Sequence, residues 1–271
     1  MKRQAHAVSD GHSATPWVER GAAAHWPAVQ KWDFDRLARR VPAVPVTLVV
    51  GDRELGETRF EEMSLPAYLR ALDANDPALQ GRYLKEFDLL RTVPELRNDL
   101  RAEELFPRRA VISSTAWIGP VGARTGLHHD LLDNTAVQLI GCKRFRLLPP
   151  GSVTRDRGWA ARYDKWARLS VLSAEEVIAR TDARDAPELL TVDLDPGDVL
   201  HVPAGWWHEV ENLGPGVLLS GFHGFQPAVG LLWARESARH AAHLMGLIGR
   251  KGCTCHPVTA VTESRSIREK G

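Results

Sequence analysis

From Ala110 onward the chain is a succession of short β-prone runs, each ended by Gly, Pro or Asn, and this texture constrains the fold more than any other feature. The runs are "AVISSTAWIG", "TGLHHDL", "TAVQLIG", "KRFRLLP", "LLTVDL", "DVLHVP", "WHEVENL" and "GVLLSGFHGF". Eight short strands separated by turn residues are what a double-sheet jelly roll needs. The fourth and fifth runs are separated by a charged stretch, about residues 151–189, that is too long for a hairpin. It is expected to contain a helix and to form part of a substrate rim.

Upstream of this region the pattern changes to helix alternating with short strand. Trp32, Phe34, Leu37 and Val41 can share one helical face, and the β-branched run "VPVTLVV" follows. In "MSLPAYLRALDAND" Ser64 is placed to cap, Pro66 suits the first turn, and Leu65, Tyr68, Leu69 and Leu72 recur at helical spacing. A further short helix is predicted in "VPELRNDLRAEELF". At the C-terminal end, residues 228–250 read as a helix whose stripe is Leu231, Ala234, Ala238, Ala241, Met245 and Ile248. Small residues there let another helix approach closely, either from within the chain or from a second copy in a homodimer. Residues 1–15 and 251–271 are polar and expected to be mobile tails. The catalytic unit is thus placed at 16–227, with its β core at about 110–227.

A chain of 271 residues can bury one sizeable core. Its 35 basic and 34 acidic side chains balance to a formal +1, so no overall field favours nucleic acid or an anionic membrane, although a local basic groove stays open. There is no apolar run of membrane-spanning length and no secretion signal, and a soluble cytoplasmic protein is expected. The three cysteines cannot close a disulfide framework. "CTCH" at Cys253, Cys255 and His256 invites a zinc reading, but no second pair stands at finger spacing.

The chemistry concentrates in "TGLHHDLLDN". His128 and Asp130 are two positions apart, so a strand puts both on one face and turns His129 to the other. His208, in "PGDVLHVPAGWWHEV", offers a third ligand from a distant strand. Two imidazoles and one carboxylate on one side of an ion leave open positions, the arrangement of non-haem Fe(II) oxygenases. Each residue alone has an ordinary explanation, and zinc with one open position is a competitor for the set. Lys143 bears on that choice. It opens an apolar strand fifteen positions after His128, and a lysine aimed into a barrel needs a carboxylate partner, such as the distal carboxylate of 2-oxoglutarate. The competing reading is an exposed edge lysine. Trp206 and Trp207 are neighbours on a strand and should part, one toward the metal and one to the outer face.

Together these residues resemble the Jumonji-C family in its cupin-8 branch, the protein asparaginyl hydroxylases and their bacterial relatives. The resemblance runs from about Val18 to Phe225. It is strongest in "WIGPVGARTGLHHDLLDN", "GCKRFRLLPP" and "DPGDVLHVPAGWWHEV". It implies a mainly β, cupin-like double-stranded β-helix with N-terminal helices and a C-terminal helix. It further implies iron on His128, Asp130 and His208, with Lys143 on the distal carboxylate of 2-oxoglutarate and Thr125 and Asn134 helping to hold that co-substrate. Tyr83 falls where relatives supply an aromatic hydroxyl, and His223 falls near a co-substrate position. His129 and His201 depart from the residues common in the family, which bears on substrate identity. The implied activity is a 2-oxoglutarate-dependent dioxygenase that uses dioxygen to hydroxylate an amino-acid side chain of a protein or peptide, releasing succinate and carbon dioxide. Alternatives are a small-molecule or tRNA-base hydroxylase, N-demethylation of methyl-lysine, and a binding protein that kept the fold without catalysis.

Overall fold

The computed structural model describes residues 15–51, 58–101, 104, 113–154, 158–160, 164–224 and 227–249. The predicted tails and the "CTCH" cluster lie almost wholly outside these residues. All eight predicted strands form: β5 (Ser113–Gly119), β6 (Arg124–Asp130), β7 (Asp133–Ile140), β8 (Lys143–Leu148), β10 (Leu190–Leu194), β11 (Val199–Val202), β12 (Trp207–Asn212) and β13 (Gly216–His223). Around them stand β1 (Trp17–Glu19), β2 (Pro45–Val50), β3 (Arg59–Ser64), β4 (Arg82–Phe87) and β9 (Ala167–Leu169). Two antiparallel sheets result, ordered β1-β11-β7-β13-β5-β4-β2-β3 and β10-β8-β12-β6-β9.

The single N-terminal helix expected over Trp32 and Phe34 is two short ones, α1 (Pro27–Lys31) and α2 (Phe34–Arg40). The break has a local cause: the Asp33 side chain accepts a hydrogen bond from the Arg36 amide and caps α2. The four residues predicted to share a face are nevertheless all buried. With α3 (Leu65–Asp73), these helices cover the outer face of the larger sheet, where Trp26, Leu37 and Leu69 pack in one core with Ile118, Val137, Val199 and Leu219. Ser64 precedes α3 as predicted, but its side chain makes no capping hydrogen bond. The helix foreseen in "VPELRNDLRAEELF" is a 3-10 turn over Pro94–Asp99.

A second core lies between the sheets, built from Ala136, Phe145, Leu147, Leu200, Trp206 and Leu218. A third, with Trp207, Leu127, Leu148 and Val153, lies beneath the insert, whose helix α5 (Ala174–Ala179) contributes Ala174 and Val177. The two tryptophans therefore part as the strand period requires. The last helix, α6 (Pro227–Leu244), docks through Glu236, which pairs with Arg168 of β9 at 2.5 Å and with Arg239 at 2.9 Å. Its predicted stripe faces outward: Leu231 is 75% and Met245 64% exposed. None of the described residues of the chain covers that stripe.

Candidate metal centre and co-substrate pocket

β6 and β12 are neighbours in the smaller sheet, and His128 lies directly opposite His208. Alternation along β6 sends Leu127 into the core under the insert, while His129 meets the Trp207 ring edge-on at 4.7 Å. His128 and Asp130 are left on the inner face. The turn before β12 is tied to the same place, because the Gly205 amide donates to the Asp130 carbonyl at 3.0 Å and the Ala204 amide donates to Asp133 at 2.8 Å. Gly205 has φ +83°, a conformation open to glycine. Hydrogen bonding thus sets where His208 begins relative to Asp130.

One nitrogen or oxygen from each of His128, Asp130 and His208 lies within 4.8 Å of the others. Each imidazole anchors its Nδ1 to a backbone carbonyl, His128 to Gly126 at 2.8 Å and His208 to Trp206 at 3.0 Å. Those bonds leave both Nε2 lone pairs for a metal. Burial pushes both histidines down to about 4, with Lys85 adding to the effect at His128 and His128 adding to it at His208. Burial pushes Asp130 up to about 6. Asp130 Oδ2 is buried and has no hydrogen-bond partner among the described residues. Two neutral imidazoles and a buried carboxylate oxygen without a hydrogen bond present three donor atoms to one point. A divalent metal fits it, and His128, Asp130 and His208 form an iron-binding triad.

The triad lines a cavity of about 320 Å³. Lys143, Tyr83, Thr125 and Asn134 line the same cavity, so four of the five residues expected around the co-substrate converge on it. Lys143 is fully buried and donates from Nζ to the Tyr83 hydroxyl at 2.8 Å. Burial, with Lys85 nearby, pushes its ammonium down to about 7, because no described carboxylate pairs with it. Thr125 Oγ1 and Asn134 Oδ1 are buried and meet no hydrogen-bond partner of good geometry among the described residues. The cavity therefore presents metal donors at the triad and a buried ammonium at Lys143. A molecule that chelates the metal and carries a second carboxylate completes both, which is the form of 2-oxoglutarate.

His223 is not part of this set. Leu218, Ser220 and Phe222 are the β13 residues that face the cavity, and His223 points to the opposite side of the sheet, where its Nε2 lies 2.9 Å from Thr135 Oγ1. His201 lies there too, 3.0 Å from the same hydroxyl and stacked on Trp17 at 4.3 Å. The parity of β13 alone separates Phe222 from His223. Other lining residues escaped the sequence reading: Glu86, Thr115, Trp117, Asp164, Trp166 and Ser220. The period of two on β5 and β13 could have found Thr115, Trp117 and Ser220. No pattern in the sequence marks Glu86 or Asp164.

A family model for the cupin-like domain, cupin-8, matches residues 11–234. The chain is 31% identical over 206 residues to lysine-specific demethylase JMJ30 of Arabidopsis thaliana, covering 73% of this chain and 47% of that protein. It is 26% identical over 218 residues to HSPB1-associated protein 1 of Rattus norvegicus, with 70% and 44% covered. Over 133 residues it is 31% identical to the Homo sapiens tRNA wybutosine-synthesizing protein 5, covering 48% of this chain and 40% of that one. The chain spans about half the length of the curated relatives it matches. Among solved structures, the X-ray structure of E. coli ycfD aligns with a TM-score of 0.50 at 18% identity, over 87% of this chain and 55% of that one. That likeness speaks for the fold alone. The family match spans both sheets and every ligand of the triad, and the chain belongs to the cupin-like domain family, cupin-8.

Proposed function

We propose that this protein is an Fe(II)- and 2-oxoglutarate-dependent oxygenase that hydroxylates an aliphatic carbon of an amino-acid side chain in a protein or peptide. The observation that carries this reading is one cavity that presents metal donors, a buried carboxylate beside two neutral imidazoles, and a buried ammonium. Bound Fe(II), with 2-oxoglutarate and dioxygen, supplies the oxidation of the carbon. The protein's part is placement. The carbonyls of Gly126 and Trp206 hold the two imidazoles in orientation, and Lys143 with Tyr83 anchors the distal carboxylate. Thr125 and Asn134 offer further polar contacts to the co-substrate, while Trp117, Leu132 and Phe222 keep the cavity wall apolar and water away from the reacting carbon.

Succinate release tests the reading. Purified protein with Fe(II), 2-oxoglutarate, dioxygen and candidate peptides should form succinate, and His208→Ala should reduce the rate at least a hundredfold while losing bound iron. Activity without 2-oxoglutarate or oxygen would point to a metal hydrolase instead. Mass spectrometry of the peptides separates the products, since hydroxylation adds one oxygen and the same step on an N-methyl carbon ends in loss of the methyl. The name of one relative, a lysine-specific demethylase, favours keeping that second product in view.

We further infer that two copies pair through α6. Its outward stripe has Leu231 near one end, Met245 just past the other, and Ala234, Ala238 and Ala241 between, while Ile248 lies beyond the left-handed Gly246 that ends the predicted helix early. Antiparallel pairing about a two-fold axis at Ala238 sets Leu231 of one copy against Met245 of the other. An isologous interface requires that self-complementarity.

A further inference from the structure

Tyr83 belongs to two cavities. Besides the cavity of the triad it lines a second, of about 330 Å³, and it is the one described residue that the two share. The second cavity occupies a gap in the barrel wall. β9 pairs with β6 only from His128 to Asp130, and the ladder ends where the Ser170 amide donates to the Leu127 carbonyl at 2.8 Å. Residues 124–126 have β12 on one side and no described strand on the other. Barrels close by continuous pairing, and an interrupted ladder leaves the wall to side chains. Tyr83 and Lys85 of β4 line this gap together with Arg124 and Gly126 of β6.

The Tyr83 side chain fills the opening. It is 3% exposed and lies against Gly119, where a Cβ would stand 2.6 Å from its Cδ2. Open volume meets it from both cavities, so rotation of the side chain is not opposed there by close-packed core. An ammonium from each cavity lies over its ring. Lys85, of the second cavity, has Nζ 5.4 Å from the ring centroid. Lys143, of the first, has Nζ at 5.3 Å and donates to the phenol oxygen at 2.8 Å. Arg124 adds a further cation to the second cavity. Glu176 is the acidic residue of its described lining, and that carboxylate accepts from the Ser173 amide at 2.8 Å and lies 3.9 Å from Arg180. The described charge of the second cavity thus favours an anion.

We propose that the second cavity is a side port through which the dicarboxylate co-substrate enters and succinate leaves, with the Tyr83 side chain as its gate. The incoming carboxylate meets Arg124 and Lys85, passes as Tyr83 swings, and replaces the phenol oxygen as acceptor from the Lys143 ammonium, a bond strengthened by charge on both partners. On closing, Tyr83 donates its O–H to the same carboxylate. The inference rests on the reading of the first cavity as the oxygenase active site. It makes co-substrate exchange independent of the mouth at which Trp166, 37% exposed, stands.

Binding kinetics test it apart from turnover. Protein loaded with Fe(II) is mixed with 2-oxoglutarate under nitrogen, where no reaction proceeds, and the visible charge-transfer absorption of the iron chelate reports association. Release of radiolabelled 2-oxoglutarate into an excess of unlabelled gives dissociation. Val171 lines the second cavity and is 41% exposed. Val171→Trp should slow association and dissociation alike, by about tenfold or more, and leave the equilibrium affinity within about twofold, because it narrows a path without touching either end state. Trp166→Ala, at the other mouth, should change neither rate. Arg124→Gln, at an exposed position, should slow association about threefold at low salt and not at all at about 0.5 M, where steering is screened. Unchanged rates in Val171→Trp, a loss of affinity carried by one rate alone, or faster exchange in Trp166→Ala would each overturn the port. Should Val171→Trp not fold, an unaltered association rate in Arg124→Gln at low salt overturns it by itself. Failure of the native protein to bind Fe(II) and 2-oxoglutarate at all would instead overturn the oxygenase reading.

Discussion

Lys143 places an ammonium in the protein interior with a phenol hydroxyl as partner and no described carboxylate in reach of an ion pair. Its ordinary value is 10.5, and burial takes it down to about 7. Between those values the unfolded chain holds a proton that the folded, ligand-free protein does not. The destabilisation from Lys143 is therefore complete below about pH 7 and absent above about 10.5, and stability rises with pH across that window. Lys143→Met should remove this dependence and stabilise the ligand-free protein by about 1–4 kcal/mol at neutral pH, measured by denaturant unfolding. The same substitution should weaken 2-oxoglutarate binding about 100-fold, measured by calorimetry. In the proposed pairing the co-substrate meets the protonated lysine, so its affinity should fall as pH is raised above about 7. A flat profile from pH 7 to 9 would show that Lys143 does not meet the distal carboxylate.

At the level of the elements, the site depends on irregularities in its strands. Thr125 and His128 are three apart on β6, yet both line the cavity, because two steps on β12 span three on β6 between their paired positions. Tyr83 and Glu86 repeat the device on β4. A bulge re-aims side chains that simple alternation would turn away. Turns matter in the same manner. Gly141, between β7 and β8, has φ +71°, and a Cβ there would lie 2.1 Å from the Pro215 carbonyl oxygen. Gly141→Ala should destabilise the protein by about 2–4 kcal/mol, read from the shift in denaturant midpoint. The docking of α6 rests on buried charge: Glu236→Ala leaves Arg168 without its carboxylate and should cost about 3–5 kcal/mol locally. Hydrogen exchange should then show α6 opening while β6 and β12 stay protected.

Considered as a whole, the molecule places its chemistry between two sheets and gives their outer faces to packing. α1 to α3 cover the larger sheet and the insert covers the smaller one, so the triad-bearing strands are supported from behind by apolar cores. Within the described residues no helix is long and apolar enough to cross a membrane. The outward face of α6 is an apolar surface that the described residues leave open, with Leu244 62% exposed and Leu247, just past the helix, 71% exposed. Light scattering should find twice the chain mass at micromolar concentration, and Ala238→Glu should return the protein to one copy with its triad still able to bind iron. A native protein that stays monomeric at all concentrations would refute the pairing.

The amino-acid order alone determined the eight strands of the β core, the pair His128 and Asp130 on one face, the departure of His129 to the other and the separation of Trp206 from Trp207. These follow from strand period and turn residues, which are local. The strands β1, β3, β4 and β9 were not foreseen; β1, β3 and β9 lie at sheet edges, where the neighbouring strand rather than the residue pattern induces pairing, and β4 is an interior strand interrupted by a bulge. His223 was placed on the wrong side because nearness in sequence to a cavity residue says nothing of strand parity. Tertiary structure alone decided that His208 meets His128, that Lys143 is buried without a carboxylate, and that Glu86 and Asp164 join the cavity. Each of these depends on register, a bulge or a turn hydrogen bond between segments far apart in the chain, and no local period encodes such distances.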